Sequence, residues 1–453
     1  MNGSRWKRLL WALIGITLVG LCSVASPASS SAATPVPPQN DPFYTPPPGY
    51  AAEAPGTVLR SREVQLAAFG VLPQNVQAWQ LLYRTTGRGG RPMATVTTVV
   101  RPSGGPVRGL LSYQIAEDAS GPQCAPSYGL RSGGGEPVGS AATQLELVMI
   151  DAAVSSGHAV SVPDWEGPEG TLLVPEQPGF TVLDGIRAAE RFAPLGLSGA
   201  STPAAAWGYS GGSFATGWAA VEQASYAPEL NLTGVAVGGF LTRAGESVKA
   251  VNGGAFAGFL PSLLPGMLRG NPELEAAFNE HLTPAGQRLL AAGNAQCLVY
   301  NLAEHPLLNM DDYLTIPFSR LMELPAVAET FEAMRLGPTT PKAPVFVYQA
   351  VHDELVPDTY VGDTVTQWCA SGGRITYVRD EASEHATLMV TGAPLALNWL
   401  NERLGGAPVP SGCSTTTVPS TVLTPTGLAT LPPYLQAALL GLLGRPLGVA
   451  DVG

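Results

Sequence analysis

Apolar residues recur along this chain with two alternating periods. Residues 78–83 and 94–101 alternate as strands around the turn Gly87-Arg88-Gly89-Gly90, a pattern that predicts a hairpin. A further strand is predicted over 107–114. Residues 143–155 carry helical spacing that stops before Gly157 and gives way to a strand over 158–163. A helix over 180–192, a strand over 204–209, a helix of small residues over 214–223 and a strand over 234–237 continue the alternation. Strand and helix at this spacing predict an α/β fold with a mostly parallel sheet covered on both faces.

From residue 240 to 337 the strand pattern disappears. Asn271-Pro272 and Thr283-Pro284 open helical segments rich in Leu, Phe and Ala, which predicts a helical insertion within the sheet domain. Strands return over 343–349 and 374–378, and a last helix is expected over 387–403.

The two ends read differently. Arg5, Lys7 and Arg8 precede an apolar run over 9–22, and Ser31-Ala32-Ala33 offers a small-residue cleavage site, so residues 1–33 read as a signal peptide and the protein as secreted. The alternative is an uncleaved anchor, for which the run is short of the ~20 residues a spanning helix needs. Residues 411–426 are rich in Ser, Thr and Pro and read as a linker. The apolar tail beyond is broken by Pro432, Pro433 and Pro446, too interrupted to span a bilayer. A short helix over 434–443 is expected there, resting on the protein body or on a lipid surface. The expected organisation is therefore a leader 1–33, an arm 34–77, a core in two parts (78–239 and 338–410), a cap over 240–337, and a linker with tail over 411–453.

Composition narrows the function. Only 13% of residues are charged, with 53 glycines and 42 prolines, and the net charge of −11 argues against a nucleic-acid partner, which needs Lys and Arg to neutralise phosphates. Four cysteines follow the leader: Cys124, Cys297, Cys369 and Cys413. In an exported chain they read as two disulfides, with three possible connectivities. They form no C-x-x-C pair and have no His at ligand spacing, so neither a metal nor an organic cofactor is implied.

The chemistry begins at Gly208-Tyr209-Ser210-Gly211-Gly212, a G-x-S-x-G pattern between an apolar strand and a helix of small residues. That context is what a nucleophile elbow requires: a strained turn lifts the Ser210 hydroxyl above the sheet and sets the Gly211 N–H for an oxyanion hole. A serine needs a base, and the base needs an acid to hold its tautomer. On an α/β-hydrolase the order is Ser, acid, His. Of the histidines after Ser210, His281 and His305 fall in the insertion and His352 sits within the acid loop. His385, in a loop between the last predicted strand and helix, is the expected base. Asp353, in the loop after strand 343–349, is the expected acid, with Glu354 and Asp358 as competitors.

Further motifs align with these. Asp41-Pro42-Phe43-Tyr44, Leu81-Leu82-Tyr83-Arg84-Thr85, Ser112-Tyr113-Gln114 followed by Asp118, Cys124-Ala125-Pro126-Ser127-Tyr128 and Pro163-Asp164-Trp165-Glu166-Gly167 occur in one order with the elbow and the Asp353 and His385 loops. In this the chain resembles the secretory lipases of fungi and actinobacteria over about residues 41–405. The resemblance implies an α/β-hydrolase with a helical cap and a Ser210–Asp353–His385 triad. It also implies that Asp118 is the second oxyanion donor, with Glu117 beside it leaving the register open. It implies the disulfides Cys124–Cys297 and Cys369–Cys413, and a lid over the acyl pocket to which residues 255–268 contribute Phe256, Phe259, Leu260, Leu263, Leu264 and Met267. The expected activity is hydrolysis of triacylglycerols or other carboxylic esters, with a lipid–water interface as a partner. The alternatives are a short-chain esterase, an acyltransferase, or a non-catalytic lipid-surface binder.

Overall fold

The computed structural model describes residues 34–448; the expected leader lies outside them. A ten-stranded sheet organises the chain in the order β1-β4-β5-β7-β6-β8-β9-β10-β11-β12, and β2 (Ala67–Ala68) pairs with β3 (Leu72–Pro73) in a separate two-stranded sheet. Strands β4 (Gln77–Thr86) and β5 (Pro92–Arg101) form the expected hairpin, and with β1 (Val58–Glu63) they make an antiparallel flank. Every neighbouring pair from β7 (Ala159–Pro163) through β6 (Leu110–Gln114), β8 (Ala204–Tyr209), β9 (Leu232–Gly238), β10 (Val345–Ala350) and β11 (Ile375–Asp380) to β12 (Ser414–Val418) is parallel. The strands β6, β7, β8 and β10 are buried along their whole length, as the continuous apolar runs of a sheet covered on both faces require.

Helices α1 (Ala141–Ser155), α2 (Gln177–Arg191) and α3 (Gly211–Tyr226) connect the parallel strands. Two cores result. On one face α2, α3 and the insertion pack around Trp165, Phe214 and Phe240. On the other, α1 and the later helices α12 (His385–Leu404) and α13 (Pro425–Leu442) enclose Tyr113, Trp207 and Tyr348. The stretch after β9 folds as α4 (Ala244–Val251), α5 (Phe259–Gly270), α6 (Pro272–His281), α7 (Pro284–Asn294), α8 (Leu298–Glu304), α9 (Phe318–Met322) and α10 (Pro325–Ala333), and α11 (Asp358–Ala370) links β10 to β11.

Two segments differ from the sequence reading. Within the arm 34–77, β1 adds an edge to the main sheet, and within the linker 411–426, β12 adds the opposite edge. Both are polar, β1 reading Val-Leu-Arg-Ser-Arg-Glu and β12 Ser-Thr-Thr-Thr-Val, because an edge strand need bury little and is protected by polar side chains. The tail helix is longer than expected, eighteen residues, and lies against α1 and α12 with Tyr434 and Ala437 buried. Among the described residues no helix is long and apolar enough to cross a membrane.

Disulfides join Cys124 to Cys297 and Cys369 to Cys413. The first ties the insertion to the loop after β6; the second closes a 44-residue separation that contains β11 and His385. By loop-closure entropy, a Cys369→Ser/Cys413→Ser variant should lose about 2–4 kcal/mol of stability. A denaturant titration reads that loss as a lowered midpoint, with a steeper slope because the unfolded chain, no longer cross-linked, exposes more surface.

Candidate active site

Ser210 caps α3 at the end of β8, with φ of 51° and ψ of −122°. Such a backbone costs a non-glycine residue on the order of 1–3 kcal/mol and persists only where its surroundings enforce it. Here the Ser210 N–H donates to the Gly238 carbonyl at 2.9 Å, and the glycines beside it admit no side chain. A Cβ on Gly211 would stand 2.0 Å from Asp118 Oδ1, and one on Gly212 2.0 Å from the Gln114 carbonyl oxygen. The strand–turn–helix therefore closes directly against the loop that follows β6.

His385 is the first residue of α12, rather than a loop residue ahead of it. Its Nε2 lies 2.9 Å from Ser210 Oγ and its Nδ1 2.8 Å from Asp353 Oδ2. Three further groups fix Asp353: the N–H groups of Leu355 and Val356 donate to Oδ1 at 3.0 and 2.7 Å, and Gln349 Nε2 donates to Oδ2 at 2.8 Å. The competing acids have other partners. Glu354 accepts the His385 backbone N–H at 3.1 Å, satisfying a donor that a helix start leaves unpaired. Asp358 pairs with Arg379 and Tyr377. Of the other histidines, His158 is buried against Asn401, His281 sits beside Thr315, and His352 is exposed.

Asp118 is buried, also at positive φ (48°), with its carboxyl beside Gly211. Burial raises its pKa to about 6, against the opposing pull of His385. Glu117 is buried with Asp164 and Asp118 as acidic neighbours, and desolvation and these neighbours push its carboxyl well above the ordinary range. The loop 115–118 is held by Trp165 Nε1, which donates to the Ile115 carbonyl at 2.7 Å, and by Glu146, which accepts the Ala116 N–H at 2.8 Å. From α5, Ser262 Oγ donates to the Asp118 carbonyl at 2.7 Å. Sequence reasoning missed Glu146 and Ser262, whose positions in unrelated helices carry no motif.

Asp380 was missed as well. Its carboxylate accepts the N–H groups of Ala382 and Ser383 at 2.9 and 2.8 Å, and the N–H and hydroxyl of Thr421 at 2.6 and 2.8 Å. Burial acts to raise its pKa, but these bonds hold it below the usual range. The turn leading to His385 is thereby clamped to the tail.

Above Ser210 lies a narrow cavity of about 50 Å³. Apart from Asp118, Ser210 and Gly211, its walls are largely apolar: Leu241, Val248, Val251, Phe259, Leu263 and Val356 are among them. Along α5 the spacing divides the side chains, so that Phe259 and Leu263 face the cavity while Leu260, Leu264 and Met267 pack into the core. Among the described residues no group of acids, histidines or cysteines is arranged to hold a metal ion.

The profile of secretory lipases matches residues 134–412. The chain belongs to the secretory lipase family. A Mycobacterium tuberculosis relative named as a probable inactive lipase is 42% identical over 91% of this chain and 92% of its own length. Lipase A of Arthroderma benhamiae is 36% identical over 91% of this chain and 90% of its own. Among solved structures, Candida antarctica lipase A in its closed state superposes with a TM-score of 0.79 and 29% identity, covering 92% of this chain and 99% of that one. That likeness extends over the ten-stranded sheet and its helices, an α/β-hydrolase fold.

Proposed function

We propose that this secretory lipase is an active, exported ester hydrolase that cleaves acylglycerols through an acyl-enzyme. The observation that carries this reading is the unbroken line of contacts from Asp353 through His385 to Ser210 at the floor of an apolar cavity. Ser210 Oγ attacks the acyl carbon while His385 Nε2 takes its proton. Asp353 holds the Nδ1–H and stabilises the imidazolium. The tetrahedral oxyanion forms beside Gly211, whose N–H, first in α3, has no partner within the helix, and beside Asp118, which in its neutral form donates an O–H. His385 returns the proton to the leaving alcohol. Water then repeats the sequence and releases the acid.

The name of the mycobacterial relative makes activity the first question. The purified protein should be labelled by a fluorophosphonate, which reports an activated serine, and should hydrolyse p-nitrophenyl butyrate and tributyrin. Absence of both labelling and turnover would return the chain to the non-catalytic class. A rate that climbs as tributyrin passes its solubility limit separates a lipase from an esterase confined to dissolved substrate, and product transfer to added alcohol would reveal acyltransfer.

A further inference from the structure

The tail helix α13 has two faces of unequal kind. At 100° per residue, Gly427, Tyr434, Ala437 and Gly441 fall on one side, and these are its buried positions. Leu428, Leu435, Leu439, Leu442 and Leu443 fall on the other side and are 54, 52, 56, 37 and 62% exposed. A helix on a water-facing surface carries charged or polar side chains opposite its core side. This one carries no charge: no Asp, Glu, Lys or Arg occurs in its eighteen residues, and its polar side chains are Thr426, Thr430 and Gln436. The helices beneath it share the property. In α1 the two acids, Glu146 and Asp151, are buried, and on α12 the one exposed charge is Glu402, near its far end. Leu145 of α1 and Val390 of α12 are also more than half exposed.

We propose that this outer face of α13 seats the protein on a neutral lipid surface. A fluid apolar phase fits it better than a protein does. The stripe offers no aromatic ring, Met or Arg, the residues that enrich protein interfaces, and Gln436, at its edge, is the one exposed polar side chain that borders it. A neutral surface fits better than an anionic one, because the stripe has no Lys or Arg and the chain's net charge is −11. The position serves the site. Four residues after Thr421, the helix starts from the turn that Asp380 clamps, and the same carboxylate fixes Ser383, two residues before His385. The helix is thereby tethered, through one carboxylate, to the turn that leads to His385, a further role for the tail beyond hydrolysis itself.

The experiment uses the Ser210→Ala protein, which leaves the lipid intact and needs no turnover, so its outcome is independent of the proposed chemistry. Co-sedimentation with phosphatidylcholine vesicles and flotation with a triolein emulsion measure the bound fraction. Binding should survive about 0.5 M NaCl, a concentration that screens surface charge, and should not increase when phosphatidylglycerol is added. Adding Leu428→Gln, Leu435→Gln and Leu439→Gln together should lower it about tenfold or more, since each removes half-exposed apolar surface from the contact. With Ser210 restored, the triple variant should hydrolyse dissolved p-nitrophenyl acetate at the parent rate and melt at the parent temperature. If it melts lower, the single variant Leu439→Glu decides by the same measurement. Unchanged binding by the variant, no binding by the parent, or a parent dimer that the substitutions convert to monomer would overturn the proposal; the last would assign the face to a second copy of the chain.

Discussion

Ser210→Ala should lower kcat for p-nitrophenyl butyrate by on the order of 10⁶, the loss seen when one member of a serine triad is removed. The substitution deletes one oxygen from a residue whose backbone is held by the Gly238 carbonyl and by the close approach of Gly211 and Gly212 to the β6 loop, so the elbow itself should persist. His385→Ala should cost about as much, and the double variant no more than either, because serine and base act as one unit. Melting temperatures equal to the parent's, measured alongside, assign the loss to chemistry. Residual turnover above about one part in a hundred would place the nucleophile elsewhere. The comparison with the relative named as inactive sharpens the point: in this chain each link from Asp353 to Ser210 is within hydrogen-bond distance, so a failure to turn over would have to come from access to the serine rather than from a missing group.

Much of this arrangement was legible in the sequence because the elements that build it are apolar and periodic. Strand β8 and the glycines of the elbow mark Ser210 as the candidate nucleophile, and the short count of histidines leaves His385 as the one that suits the order of the fold. What remained hidden was polar. The edge strands β1 and β12 bury so little that their sequences read as arm and linker. His385 reads as a loop residue because Glu384 before it offers no side-chain cap; the cap is supplied from a distance, by Glu354. The same holds for Asp380, whose four hydrogen bonds join segments some forty residues apart, and for Glu146, which fixes the Asp118 loop from the second turn of α1. Such residues position a site through contacts that no local period encodes. The tail illustrates the converse: its hydrophobic pattern was evident, but only the fold distinguishes the side that packs from the side that does not.

The pH dependence follows from Asp118. A carboxyl can donate to an oxyanion only while it holds its proton, and burial sets this one to titrate at about 6 in the free protein. Below that pH the donor is present; above it the protonated fraction falls about tenfold per unit. The limb of kcat/KM reports this group in the free protein and is expected near pH 6; the limb of kcat reports it in the substrate complex, where a bound acyl chain that excludes water favours the neutral carboxyl and displaces the limb upward. Asp118→Ala should lower kcat about 10²–10³-fold at pH 6, the usual cost of one oxyanion donor, with a smaller effect on KM. Asp118→Asn supplies an N–H that does not titrate, and so should retain more activity than the alanine variant and lose the alkaline limb. The pH–rate profiles of the three proteins on one soluble ester decide the matter. If the limb survives in Asp118→Asn, another group sets it; if Asp118→Ala keeps the parent rate, Gly211 stabilises the oxyanion without this carboxyl. The glycine at 211 ties the two donors together, since any side chain there would push the Asp118 carboxyl away from its place. Gly211→Ala should therefore reproduce much of the Asp118→Ala defect while leaving Ser210 and His385 in contact, a result that mutual displacement of the two groups predicts and independent roles would not.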